Sequence, residues 1–229
     1  RDFQDLHLSL LGFGTYNVIL ALGIAFGAVE LFDVSFALGA FFAGIAGVIV
    51  GVPVLRLQGD YLAIVTLAFG EIIKNIITNL NITGGALGLD TSSIYAGAKD
   101  LLPYGAVLVL LTVAVMLNLK RSKYGRAIMA IRDNRIAAES VGINVTKYKL
   151  IAFVTSASLA GAAGALFGLN YSNVTAVQFD FNTSILVLVY VVLGGLGNIW
   201  GSIVATVVLY VLPEALRQFS DYRMLVYAI

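Results

Sequence analysis

The sequence lacks cysteine altogether and is poor in histidine and in charged residues. Without cysteine the chain can form no disulfide, no thiolate metal site and no cysteine nucleophile. Its single histidine, His7, excludes a histidine-rich metal centre. Charged residues make up only 12% of the chain, whereas an average soluble domain has roughly 25%. We therefore expect no catalytic residues and no metal site in this chain.

The residues that are present are mostly apolar. They make up 59% of the 229 residues, and the mean hydropathy is +0.93. A soluble domain of this size would lack the polar residues needed to cover its surface, so the composition indicates an integral membrane protein. A bilayer core about 30 Å thick is crossed by about 20 apolar residues in a helix. The spans predicted on that basis are 10–29, 34–52, 61–78, 103–119, 150–169 and 185–212, with a further segment beginning near Met224.

These spans predict an all-α, polytopic transmembrane helix bundle with about 6–7 spans. The chain begins at Arg1 and stops in an apolar run at Ile229. We therefore expect a single transmembrane domain over 1–229 that is a fragment, truncated at both ends. A soluble all-helical core is the competing interpretation, and the scarcity of charge argues against it.

The last predicted span, 185–212, is too long for a simple crossing and has glycines at its middle, at Gly194, Gly195 and Gly197. Glycine weakens a helix, and irregular backbone at membrane depth is tolerated only against protein or a water-filled cavity. We expect either a broken helix or a re-entrant pair. The glycines then either line a translocation pathway or form a packing hinge.

The distribution of basic residues predicts the orientation. Eight of the fourteen Lys and Arg residues lie in 120–149, and the net charge of that stretch is +6. Because Lys and Arg are enriched in cytoplasmic loops, this loop is expected to be cytoplasmic. Alternation then predicts that 30–33 and 170–184 lie outside and that 53–60 lies inside. The stretch 213–223 also lies inside if 185–212 crosses the membrane once.

A short helix is predicted within this basic loop. Asp133 or Asn134 can cap its start, Gly142 is placed to end it in the left-handed conformation, and Arg135 and Glu139 are spaced to pair on one face. About two turns, roughly 12 Å, result. The residues that such a helix presents outward are Ile136, Ala137 and Val141. A basic loop on anionic lipid would explain the charge, whereas a docking helix for a cytoplasmic partner explains the caps as well.

Small residues recur at every fourth position in two of the predicted spans. Such rows let helix backbones approach closely in lipid, either within one chain, which we favour, or between subunits. The rows are Gly39, Ala43, Gly47 and Gly51, and Ser156, Ala160, Gly164 and Gly168.

Two opposite charges lie within the predicted span 61–78. Glu71 and Lys74 are three residues apart, and Asn75 shares their face. Ionisable groups at membrane depth are costly and face an interior or a cavity. Glu71 therefore either belongs to a translocation pathway or pairs structurally with Lys74, and we favour the pair.

Several stretches resemble one family of transporters. Arg132–Ile143, which reads RDNRIAAESVGI, resembles the coupling motif of ABC importer permeases. The surrounding chain is similar to the branched-chain amino-acid permease of the LivM type, from about residue 50 to the end. The stretches that carry this likeness are Pro53–Ile72, Ile82–Leu89 (ITGGALGL), Ser122–Arg132 (SKYGRAIMAIR) and Leu193–Gly201 (LGGLGNIWG).

The resemblance implies a permease of the type II importer kind in a bacterial inner membrane. Such a permease works with a second homologous permease, two cytoplasmic ABC ATPases and an extracytoplasmic binding protein that delivers leucine, isoleucine or valine. The chain has no Gly-Lys pair and hence no phosphate-binding Walker A loop. We therefore expect it to be no enzyme and to hold no cofactor, with ATP and Mg bound by its partners. Lipid is a further partner, and nucleic acid is not.

The resemblance also implies roles for individual residues. Coupling to the ATPase is expected of Arg132, Asp133, Asn134, Ile136, Ala137, Ala138, Glu139 and Gly142. Docking of the binding protein is expected at Thr83, Gly84 and Gly85, and the translocation pathway at Glu71, Gly194, Gly195 and Gly197. The alternative function is an ion- or proton-coupled secondary transporter, for which a glycine-broken helix and an intramembrane carboxylate are also typical. A scaffold without its own pathway is a third interpretation.

Overall fold

The computed structural model describes residues 32–57, 60–80, 84–92 and 97–215. Within these ranges the chain is almost entirely α-helical. The helices are α1 (Phe32–Val54), α2 (Asp60–Asn79), α3 (Ala98–Arg121), α4 (Lys123–Asp133), α5 (Arg135–Ser140), α6 (Val145–Asn170), α7 (Phe181–Gly194) and α8 (Ile199–Ala215). Short 3₁₀ helices at Gly85–Leu87 and Ala176–Phe179 accompany two strands, β1 (Leu89–Asp90) and β2 (Asn173–Val174). The predicted all-α class is confirmed.

Four of the predicted spans coincide with single helices. The predicted spans 34–52, 61–78, 103–119 and 150–169 lie within α1, α2, α3 and α6. Among the described residues, three helices are long and apolar enough to cross a membrane, namely Ser35–Val54, Lys99–Arg121 and Val145–Asn170. The predictions for 10–29 and for the segment near Met224 lie outside the described residues, so the span count is confirmed only in part.

The chain divides into two compact units, of which the first ends at Ser184 and the second begins at Ile185. In the first unit, α1 and α6 form the principal helix contact. A Cβ atom on Gly39 would lie 2.9 Å from the carbonyl oxygen of Gly161, and one on Gly47 would lie 2.8 Å from the Ala157 Cβ. The two backbones therefore approach too closely for side chains at these positions, as small-residue rows permit. The predicted row on α1 is confirmed, and it packs within the chain.

The face of α6 that meets α1 differs from the predicted row by one position. The residues in contact with α1 include Phe153, Ala157, Gly161 and Ala165. Of the predicted row, Ala160 joins a buried cluster with Ala43 and Ala157, and Gly164 and Gly168 are buried elsewhere. Phe153 belongs to the contact row because its ring fills the space over Gly51, where an added Cβ would lie 2.9 Å from the Phe153 Cδ1.

A hydrophobic cluster lies where α1 turns into α2. The turn is tight, since the Leu55 N–H donates to the Gly51 carbonyl at 2.9 Å and the Leu57 N–H donates to the Val54 carbonyl at 3.0 Å. The buried members of the cluster are Val50, Val54, Leu55, Leu62 and Phe153. This packing ties α1, α2 and α6 together at one end.

The two strands link loops that are distant in sequence. β1 pairs with β2 in antiparallel register, with Leu89 opposite Val174 and Asp90 opposite Asn173. The Asn173 side chain also donates to the Leu87 carbonyl at 3.0 Å. We call 84–92 and 171–180 the strand-linked loops. Val174 and Phe179 pack against Ala163 and Phe167 of α6, so this link is anchored on a membrane helix.

Candidate functional site

The basic loop between α3 and α6 contains two helices. Capping side chains explain where the first of them, α4, begins and where α6 begins after the loop. The Ser122 hydroxyl accepts a hydrogen bond from the Gly125 N–H at 3.1 Å and starts α4, and the Asn144 side chain accepts one from the Lys147 N–H at 3.0 Å and starts α6. Such caps satisfy backbone donors that have no partner within the helix.

Asn134 joins α4 directly to α5. Its backbone N–H donates to the Ala130 carbonyl at 3.0 Å and closes α4. Its side-chain Oδ1 accepts from the Ala137 N–H at 3.1 Å and opens α5. The extended backbone of Asn134, with φ −156°, separates the two helical segments. Of the two predicted capping residues, Asn134 is therefore the one that caps.

Gly142 ends α5 as predicted. Its φ is +83°, a left-handed conformation that costs other L-residues roughly 1–2 kcal/mol. The Gly142 N–H donates to the Glu139 carbonyl and the Ile143 N–H donates to the Ala138 carbonyl, both at 3.0 Å. This pair of bonds is a Schellman motif. An added Cβ at Gly142 would meet nothing within 4 Å, so the requirement for glycine is conformational and not steric.

One side of α5 is anchored and the other is exposed. Ala138 is 3% exposed and packs in a cluster with Ile131 and Val145. Ile136 and Val141 are 79% and 74% exposed. α5 is thus a six-residue helix that is capped at both ends and packed through one buried alanine. It presents two large apolar side chains to its surroundings. These two side chains are therefore available for contact with another protein or with lipid.

Two ion pairs lie in α5 and at the end of α4. The Arg135 Nε lies 2.9 Å from the Glu139 Oε1, as the spacing predicted, and the Arg132 guanidinium lies 3.2 Å from the Asp133 Oδ1. Because both pairs are partly exposed, each contributes only about 0.2–1 kcal/mol to stability. They mainly set the pattern of charge around the two exposed apolar residues.

The charges on α2 form a pair. The Lys74 Nζ lies 2.6 Å from the Glu71 Oε2, so the two residues do pair, and the role of Glu71 in a pathway stays a prediction. Glu71 also lines a narrow cleft against Phe179 and Asp180, at the beginning of α7. The Glu71 side chain thus lies beside this cleft and remains 41% exposed.

Asp180 caps α7 beside this cleft. Its Oδ1 accepts from the Thr183 N–H at 2.9 Å and from the Thr183 hydroxyl at 3.0 Å. The hydrogen bond from the Thr183 backbone N–H is the main cause that holds the pKa of Asp180 below its ordinary value. Burial opposes it, and the side chains of Thr183 and Asn182 and the charge of Lys74 add to the lowering. The carboxylate is therefore ionised at neutral pH.

The long predicted span 185–212 is a broken helix in the structure. α7 ends at Gly194 and α8 begins at Ile199. Gly195 and Gly197 between them have φ values of +90° and +83°, which only glycine adopts readily. The Asn198 side chain accepts from the Gly201 N–H at 3.3 Å at the start of α8. With 14 and 17 residues, each piece is shorter than the roughly 20 residues that a crossing requires.

Two of the predicted docking residues, Gly84 and Gly85, lie in the first strand-linked loop. Gly84 and Gly85 have φ values of +72° and +60°, and the Gly85 N–H donates to the Leu80 carbonyl at 3.1 Å. An added Cβ on Gly88 would lie 2.6 Å from the Val174 carbonyl oxygen, so the two loops touch backbone to backbone there. Thr83 lies outside the described residues.

Sequence reasoning missed α4, the strand pair and the cap at Asp180. For α4 the signal was present, since Ser122 precedes apolar residues at Ala127, Ile128 and Ile131. Strands of two residues leave no alternation to detect. The contact of Asp180 with α2 depends on residues far apart in sequence.

Comparison with known proteins identifies relatives of this chain. Residues 7–229 match the family described as "Branched-chain amino acid transport system / permease component". The chain is 40% identical over 211 residues to the high-affinity branched-chain amino acid transport system permease protein LivM of Salmonella typhimurium, covering 79% of this chain and 50% of that protein. It is 39% identical over 214 residues to the LivM protein of Escherichia coli, covering 80% of this chain and 50% of that protein.

A more distant relative is the probable LivM permease of Methanocaldococcus jannaschii, which is 29% identical over 220 residues, or 91% of this chain and 60% of that protein. The chain spans about half the length of the two bacterial relatives that it matches. No solved structure matches the chain significantly.

Proposed function

Because the chain belongs to the family of permease components of branched-chain amino acid transport systems, we propose that it is the membrane-embedded part of an ATP-driven importer for leucine, isoleucine or valine. The observation that carries this proposal is the identity of 40% to a LivM permease over most of the chain. The long apolar helices suit a multi-pass membrane protein. We place it in a bacterial inner membrane, with 120–149 on the cytoplasmic side.

In this proposal α5 is the contact with the ATPase. Ile136 and Val141 enter a groove of the ATPase subunit, and Asn134 and Gly142 hold the helix in the shape that the groove accepts. Arg132, Asp133, Ala137 and Glu139 border the contact. Support comes from the exposure of Ile136 and Val141 beside the buried Ala138. ATP and Mg belong to two such ATPase subunits, since this chain has no phosphate-binding loop.

The strand-linked loops are proposed to receive the extracytoplasmic binding protein. Thr83, Gly84 and Gly85 belong to this surface on the basis of the family resemblance. Their support in the structure is the backbone contact between Gly88 and Val174, which fixes the loop shape. A second homologous permease completes the membrane part.

The translocation pathway is proposed to pass the break at Gly194, Gly195 and Gly197. A broken helix leaves backbone groups without helical partners, and these groups can contact a passing solute. Glu71 is proposed as a further pathway residue on the basis of the family resemblance, and its pairing with Lys74 favours a supporting role for this carboxylate.

A matched pair of substitutions tests the coupling role. Ile136→Asp places a carboxylate on the exposed face of α5, and Ala130→Asp places one at an exposed position of the neighbouring α4. In vesicles that contain the whole transporter, we expect Ile136→Asp to abolish ATP-driven leucine uptake and binding of the ATPase. Ala130→Asp should retain both. Uptake at the wild-type rate in the Ile136→Asp transporter would refute coupling through α5.

The alternative, an ion- or proton-coupled transporter, draws on the intramembrane pair Glu71–Lys74. The same vesicles separate the two mechanisms. Uptake that requires ATP and ignores an imposed proton gradient supports the importer. Uptake that follows the gradient without ATP would establish the alternative.

A further inference from the structure

The C-terminal half of α2 carries a shallow groove that none of the functions above uses. The groove has a volume of about 510 Å³ and is lined by Ile72, Asn75, Ile76, Asn79 and Leu80. The spacing of these residues places them on one face of the helix. Asn75 and Asn79 thus form an amide pair one turn apart, bordered by aliphatic side chains.

The side-chain amides of Asn75 and Asn79 do not use all of their donors and acceptors within α2. The Asn75 Nδ2 donates to the Glu71 carbonyl at 2.9 Å, and the Asn79 Nδ2 donates to the Asn75 carbonyl at 2.7 Å. A carboxamide has two N–H donors and an oxygen acceptor, so each of these bonds occupies only one donor. Both side chains are exposed. Amide groups facing hydrocarbon without partners are costly, which argues that this face of α2 meets water or polar solute.

The charged pair of α2 lies beside the groove and does not line it. Glu71 pairs with Lys74 and lines the separate cleft towards Phe179 and Asp180. The groove therefore presents neutral amides and aliphatic surface and no fixed charge of its own. A zwitterion with an aliphatic side chain is complementary to such a surface, because amides can hydrogen bond both to its ammonium and to its carboxylate.

Resting on the proposed function, we propose that the Asn75–Asn79 groove is a solute-contacting segment of the translocation pathway that takes a branched-chain amino acid. Ile72, Ile76 and Leu80 contact the aliphatic side chain, and the two amides contact the charged ends. Asn75 lies about 22 Å along α2 from its first residue. With the predicted orientation of the chain, the groove lies in the outer half of the membrane.

Thiol labelling tests whether the groove is accessible to water. The chain has no cysteine, so single replacements give an unambiguous signal in the complete transporter. We expect a membrane-impermeant thiol reagent to modify Asn75→Cys and Asn79→Cys about tenfold faster than Val109→Cys, an exposed position on the apolar helix α3. Turnover with leucine and ATP should slow the modification. Rates at Asn75→Cys and Asn79→Cys no faster than at Val109→Cys would overturn the groove assignment, whatever solute the transporter carries.

Transport by Asn→Leu variants tests the role of the amides. Asn75→Leu and Asn79→Leu should lower leucine uptake at saturating substrate about fivefold or more, while ATP hydrolysis and ATPase binding persist. Asn118→Leu makes the same chemical change at an exposed position of α3 and should leave uptake unchanged. Uptake unchanged in both groove variants would overturn the inference. Failure of the wild-type complex to import any branched-chain amino acid would instead overturn the proposed function, and the labelling would then still report on the groove.

Discussion

The Thr91 hydroxyl donates a hydrogen bond to the backbone carbonyl of Tyr171, which lies 80 residues further along the chain. The Thr91 N–H adds a bond to the Ser172 carbonyl at 3.0 Å. Thr91 is buried, so water has little access to its hydroxyl and N–H. One threonine thus fastens the loop after α2 to the end of α6.

Thr91→Val is therefore expected to destabilise the strand-linked loops. Valine keeps the shape but leaves the Tyr171 carbonyl without its side-chain donor, a loss of about 1–3 kcal/mol. The melting temperature of the purified protein should fall, and affinity for the binding protein should fall with it. Thr112→Val is the matched control, because the Thr112 hydroxyl bonds only to the Leu108 carbonyl of its own helix at 2.8 Å. Equal effects of the two substitutions would contradict the assigned role of Thr91.

Gly161→Ala should loosen the contact between α1 and α6. An added Cβ would collide with the Ala43 side chain and the Gly39 backbone, and such overpacking costs typically about 1–3 kcal/mol. Gly105→Ala serves as the control, since its Cβ would reach ordinary contact with Leu166 at 3.4 Å. Thermal unfolding in detergent should show a lower midpoint for Gly161→Ala and an unchanged or higher one for Gly105→Ala. A normal midpoint for Gly161→Ala would show that the helices can separate without cost.

Gly142→Ala should weaken ATPase binding although the added methyl group would meet no other atom within 4 Å. The φ of +83° costs alanine roughly 1–2 kcal/mol, whereas asparagine tolerates it better. Because 1.4 kcal/mol corresponds to about a tenfold change in affinity, we expect the Gly142→Ala permease to bind the ATPase about tenfold more weakly. Gly142→Asn should lie closer to wild type. Wild-type affinity in the alanine variant would show that the end of α5 does not matter for binding.

Asp180 should make stability dependent on pH in the acid range. Its pKa is lowered in the folded state by the Thr183 N–H, other hydrogen bonds and Lys74. The stabilisation is therefore complete above the ordinary aspartate pKa of about 3.9 and is lost as the pH falls through the lower folded value. Melting temperatures between neutral pH and the acid limit should show a smaller acid loss for Asp180→Asn than for wild type. Asp133→Asn is the control, and equal acid losses in all three proteins would contradict the prediction.

Local features of the sequence predicted local structure well. The cap at Asn134, the left-handed Gly142 and the Arg135–Glu139 pair all lie within ten residues, and spacing along one helix determines each of them. Their role in coupling stays a prediction. The helix break at Gly194–Gly197 was likewise visible, because a glycine cluster cannot continue a helix at low cost.

Features that depend on contacts between distant segments were not predictable in the same way. The row of small residues on α6 omitted Phe153, because a rule based on small side chains cannot show that a ring fills the space above Gly51. The pairing of Leu89 with Val174 follows from how α2 and α6 are placed. The Asn75–Asn79 groove is defined by which side of α2 the described residues leave uncovered, and sequence alone does not specify that side.

Asn134 closes one helix and opens the next, so no linker separates α4 from α5. An insertion of one residue there would end the double use of Asn134 as the cap of both helices and would change the direction of α5 relative to α4. Ile136 would then point away from its present direction, and Ala138 would leave its cluster with Ile131 and Val145. Homologous chains should therefore show no insertion or deletion at this joint and should differ in length at other loops.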